Sequence, residues 1–283
     1  MNTTITNPAP DTVRRLTTRQ LGAVEAKRML LHVSYLVCIA VTALSVATLF
    51  TSPPVGGLRP MNLAYAALLL LGTMFYPLTT VVAANRVGSS TLRRASQETL
   101  GVTPTAERQR TVAACLGVVR GPVVVGGAIM VLADLVAPLV DDTGGLAARN
   151  ILEHLQIPVT VLGGGLLGIA LARWVRVPGV LALVVLALWF GHFTVATSLS
   201  AAGDAVHGAA WFGLMPTWLF SDATMAGQSS LAQEMWHLLY LLGLGLLAGV
   251  AALLHAPENR RRLVLVGAGL VVLTGVAGVL QMG

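Results

Sequence analysis

The chain has 283 residues, of which 55% are hydrophobic and only 11% charged, with a mean hydropathy of +0.77. A soluble domain carries about 25% charged residues, so most of this chain has no water to face. The formal net charge is +6, but the charges sit at the ends of apolar stretches, which directs them to anionic lipid headgroups and cytoplasmic partners and away from nucleic acid.

The first residues, Met1 to about Pro10, are polar and rich in Pro, Asn and Thr. They lack the charged-then-apolar order of a cleavable signal peptide, so residues 1–17 are expected to form a disordered cytoplasmic tail. Thr18 to Met29 follows, with Leu21 and Val24 set against Lys27 and Arg28. It is expected to be a short helix in the inner membrane interface.

A bilayer core of about 30 Å takes about 20 apolar residues in a helix. Seven stretches are expected to cross, near 29–50, 63–84, 113–140, 157–174, 180–199, 235–254 and 263–280. They must be helices, because lipid offers no partner to an open backbone amide. The expected fold is therefore all-α: a polytopic transmembrane bundle, forming a single membrane domain over 18–283. TSPPVGGLRP (51–60) makes a tight turn between the first two spans. The third stretch exceeds one perpendicular crossing, so its first turns should project beyond the bilayer.

The positive charges alternate with the spans. Sixteen of the 18 Lys and Arg residues fall before the first span, in the gaps after the second, fourth and sixth or, for Arg120 and Arg173, inside the third and fourth spans that border those gaps; only Arg59 and Arg149 fall in the other gaps. Positive charge is retained on the cytoplasmic side. The N-terminus is thus expected inside, and an odd number of spans carries the last residues outside.

The largest inner segment, Asn85 to Gln109, suggests two short helices. Thr91 to Leu100 would carry Arg93, Arg94 and Glu98; Gly101 would end it, and Thr103 would cap a second helix with Pro104 at its first position. On the outer side, the segment around Trp211, Phe212, Trp218 and Phe220 is interrupted by Pro216 and too short to cross, which suits an interfacial or re-entrant element.

Chemistry is sparse. There is no phosphate loop, and the only lysine is Lys27. Zinc-protease and nucleophile-elbow motifs are absent, so no enzyme, cofactor or metal site is expected. Cys38 and Cys115 read as buried thiols. Among ionisable groups in the spans, Asp134 and His192 are the candidate intramembrane polar residues. Asp134 also suits an outer interfacial position beside Asp141 and Asp142, and His192 suits a satisfied helix contact. Arg120 is expected to snorkel to the inner headgroups. Glu234 and His237 share a helix face, but nothing fixes a ligand geometry. Gly163, Gly164, Gly165 and Gly168 give the fourth span a small-residue face for close packing.

Four segments together resemble the membrane subunits of ABC-type exporters, the type-2 permeases, in their actinobacterial form: QLGAVEAKRMLLH (20–32), STLRRASQETLGVTPTAERQR (90–110), GLMPTWLF (213–220) and EMWHLLYLLGLGLLAGVAALL (234–254) followed by a basic turn. The resemblance implies an elbow helix bearing Glu25, Lys27 and Arg28. It implies a coupling segment with Arg93, Arg94, Glu98, Leu100 and Pro104 against a cytoplasmic ATPase subunit. A second permease copy, identical or not, would complete the pair in the bacterial cytoplasmic membrane, among its lipids. The family core has six spans, so the C-terminal one is an addition. The alternatives are a membrane scaffold or immunity protein that moves nothing and, further off, a secondary transporter, which usually shows internal repeats.

Overall fold

A computed structural model describes residues 11–51, 59–90, 107–140, 150–175, 177, 179–201 and 230–281, leaving aside the side chains of 11–15 and 191–201. Every regular element among them is helical. Six helices are long and apolar enough to cross a membrane: Val33–Thr51, Pro60–Ser90, Glu107–Leu139, Ile151–Trp174, Leu231–Leu254 and Arg260–Leu280. The stretch expected as the fifth span is the helix Val180–Ala201, whose fully described apolar part is Val180–Phe190.

Helix α1 (Asp11–Leu30) begins before the expected interfacial helix, so residues 11–17, expected as tail, form its first turns. Its buried positions are Gly22, Glu25, Ala26 and Met29, spaced three and four apart and therefore on one stripe. The expected apolar side is not the packed one: Val24 is 55% exposed. Helix α2 (Val33–Thr51) follows after a two-residue break and packs on the next span.

That next span is three pieces: α3 (Pro60–Leu70), a π-helical turn over Leu71–Phe75, and α4 (Tyr76–Ser90). Pro77 has no amide hydrogen to give the preceding turn. The wider turn absorbs this, with the Tyr76 amide reaching back to the Leu71 carbonyl. The third span is broken as well. Helix α5 (Glu107–Arg120) ends at Gly121, whose backbone (φ −113°, ψ −85°) is not helical, and Pro122 opens α6 (Pro122–Val136). Taken straight, 33 residues would run about 50 Å, well beyond the bilayer core.

Helix α7 (Ile151–Trp174) is the central strut. It packs against α4, α6 and α9 (Leu231–Leu254). Helix α8 (Val180–Ala201) touches the bundle through an edge-to-face contact of Trp189 with Phe75, 5.0 Å between centroids. Helix α10 (Arg260–Leu280) packs on α9.

Without a hydrophobic force between helices in lipid, association relies on close backbone approach. Helix α7 achieves it with glycine. A Cβ at Gly164 would lie 2.5 Å from the Pro77 carbonyl oxygen, and one at Gly168 2.4 Å from that of Val81. Outward, the bundle is oily. Leu44, Leu183, Leu265, Leu273 and Val279 are each about two-thirds exposed, an arrangement at odds with water.

Candidate functional site

Cross-helix pairs sort the helix ends into two layers. At one end, Arg28 donates to the Ser90 hydroxyl (2.9 Å), His255 meets Glu107 (2.9 Å), and the Trp174 indole donates to the Ala251 carbonyl (2.7 Å). Arg120, expected among headgroups, donates to the Arg19 carbonyl of α1. Arg86, Arg173 and the run Arg260–Arg262 stand at the ends of helices that reach this layer. This is the basic end.

The α1 helix is docked there by glycine. A Cβ at Gly117 would lie 3.0 Å from that of Glu25, and one at Gly121 3.1 Å from the Ala26 carbonyl. Glu25 is buried, bonded to Arg28 at 3.0 Å. Burial raises its pKa above the usual carboxylate range, and the Arg28 charge and hydrogen bond oppose that only in part. Lys27 is exposed. Arg93, Arg94, Glu98, Leu100 and Pro104 lie outside the described residues, as does the aromatic segment 211–220.

The opposite end holds a cluster of buried polar groups. Asn150 caps α7, its side-chain oxygen accepting from the amides of Leu152 and Glu153. Its Nδ2 donates to Glu234 of α9. His154 is fully buried and placed between Asp134 of α6, at Nδ1, and the Tyr65 hydroxyl of α3, 2.7 Å from Nε2. A carboxylate only accepts, so Nδ1 carries a proton. Nε2 then accepts from Tyr65 in the neutral ring or donates to it in the charged one. His237 of α9 meets the side-chain oxygen of Gln281 at 2.9 Å. Glu153, Gln156 and Asn62 are buried alongside.

Asp134 is therefore a partner of a buried histidine, although its side chain keeps 31% exposure; Asp141 and Asp142 lie outside the described residues. Glu234 and His237 share a face but engage different helices. Among the described residues no group of three or more His, Cys, Asp or Glu is placed to hold a metal. The His192 backbone lies in α8, and its side chain is outside the described set.

Sequence reasoning missed Asn150, Glu153, His154 and Gln156, because it opened the fourth span at Ile157. The run Asn150-Ile-Leu-Glu-His-Leu-Gln carried the signal: a capping residue, then polar groups at helical spacing leading into an apolar stretch.

No family model, curated protein or solved structure matches the chain.

Proposed function

We propose that the chain is the permease subunit of an ATP-driven exporter in the bacterial cytoplasmic membrane, with its basic end in the cytoplasm. The observation that carries this reading is the bond from Arg28 to Ser90. It ties the docked α1 helix to the last residue of α4, from which the segment 91–106 departs. An elbow helix and the root of a coupling segment joined in one layer make a surface able to receive force from a partner. The long oily helices and the partition of positive charge support the same orientation, and the resemblance of 20–32 and 90–110 to the exporter family supports the function.

In this reading the chain hydrolyses nothing. A separate ATPase subunit closes on nucleotide, pushes on Glu98, Leu100 and Pro104, and rocks two permease copies between inward and outward states. The rival scaffold needs no such partner. The test is capture of the tagged chain from native membranes. An ATP-hydrolysing subunit should co-purify, and Glu98→Arg should reduce that association about tenfold or more, as loss of one charged hydrogen bond does. Purified chain with no associated ATPase, or unchanged association in both Glu98→Arg and Leu100→Asp, contradicts the reading.

A further inference from the structure

Between α4, α7, α8 and α9 lies an apolar cavity of about 230 Å³. Its lining reaches from Thr160 to Leu167 on α7 and from Leu241 to Ala248 on α9, with Pro77 contributed by α4 and Leu188 by α8. The α7 and α9 residues stand near the middle of their helices, which puts the cavity at the depth of the bilayer core. No charged side chain is in the lining. Its one hydroxyl, that of Thr160, donates to the Gln156 and Ile157 carbonyls of its own helix. A cavity lined this way stays dry, and without a guest its walls are short of contacts.

Two close approaches hold the cavity open. Gly163 and Gly245 meet backbone to backbone in its wall, where a Cβ on Gly245 would lie 3.0 Å from the Gly163 Cα. Gly164 lies against Pro77, where a Cβ would be 2.5 Å from the carbonyl oxygen. Helices α4, α7 and α9 therefore have no distance left to close, and the space between them is preformed. The α4 wall begins at Pro77, directly after the π turn, a feature that recurs at functional sites. The fourth wall is weaker. Among the described residues α8 packs along α4 and has no comparable packing on α7 or α9, so the seam beside Leu188 gives access from the hydrocarbon.

Size selects the occupant. From Thr160 to Leu167, and from Leu241 to Ala248, the lining covers about 10 Å of helix. One lipid chain spans half of a 30 Å core, roughly 15 Å, and is too long. A cavity of about 150 Å³ with aliphatic and aromatic walls takes benzene, so this larger one accommodates about two fused rings. We infer that the cavity is a binding site for a compact, uncharged aromatic molecule of that size, entering from the bilayer. An ionised group placed there would lose its water and gain no partner. This rests on the export reading in taking the ligand as cargo, but binding to the isolated chain tests it separately.

The experiment uses the full chain in nanodiscs, without any ATPase, and 1-fluoronaphthalene followed by fluorine NMR. A saturable bound signal should appear beyond the partitioning seen in nanodiscs without protein. Naphthalene should displace it; 1-naphthoate and 1-naphthylmethylammonium should do so about tenfold more weakly or not at all. Ala248→Phe and Leu188→Trp fill the cavity from two different helices, so the test survives if one of them fails to fold. Each should abolish the bound signal. Leu183→Phe, at a position of α8 already two-thirds exposed, should leave it intact. No saturable signal, displacement by the ionised probes as strong as by naphthalene, or wild-type binding in every folded filling variant overturns the site. A lipid chain lodged in the cavity would show as the first of these. None of these results touches ATPase association, whose failure in turn would leave the binding result standing.

Discussion

The two ends of the bundle are held together differently. At the basic end, helices meet through glycine and backbone: α1 lies on α5 at Gly117 and Gly121, and its side-chain bonds include exposed ones such as Arg28 to Ser90. At the opposite end, polar side chains are drawn inside and bridge one helix to the next, as His154 does between Asp134 and Tyr65. Charge left at a surface remains available to a partner and is worth little to stability. Polar groups taken inside must be paired, and they cost dearly when their pairing is broken. The two ends thus differ in what they leave at the surface: charge at the basic end, and paired polar groups taken inside at the opposite end.

The largest effect should come where α7 links the two ends. Gly164→Leu drives a side chain into the Pro77 carbonyl, 2.5 Å from its Cβ, and overpacking of this kind costs about 1–3 kcal/mol or more. Folded, monodisperse protein should be lost, whereas Gly269→Ala, with nothing within 4 Å of its Cβ, should purify as wild type. Next in size, Asp134→Ala strands the Nδ1 of a fully buried histidine and should cost about 1–3 kcal/mol, read as a lower apparent Tm. By contrast, Arg28→Ala at the basic end should cost about 1 kcal/mol or less. Equal losses at the two ends would dissolve the distinction between them.

The smallest effect is in pH dependence. Burial raises the pKa of Glu25 above 4.5 in the folded chain. Between 4.5 and that raised value the unfolded carboxyl is ionised while the folded one keeps its proton. Stability therefore falls as pH rises through that window and is flat above it. Glu25→Gln should remove that part of the slope; an unchanged apparent-Tm profile in the variant would contradict the assignment.

The helical bundle was legible because an apolar run of about 20 residues has few solutions other than a helix. The breaks were harder to see. Pro77 and Gly121-Pro122 are visible in the sequence, but whether a proline produces a π turn or a full break depends on neighbours such as Ile157, packed against Gly72. The polar cluster was least legible. Asp134, Glu234 and His237 were singled out, yet their partners are 20 to 84 residues away, and no spacing rule links them. Glycine packing on α7 was readable as a face, though not which helix each glycine would admit.

The central claim is that the basic end faces the cytoplasm and the polar end faces the outside. In a background lacking Cys38 and Cys115, single cysteines at Ser89, near the end of α4, and at Ser229, just before the α9 cap, can be exposed to a membrane-impermeant thiol reagent in intact cells. The account predicts that the cysteine at position 229 is labelled from outside and the one at position 89 only after the membrane is opened. Labelling of both from outside, or the reverse pattern, would contradict it.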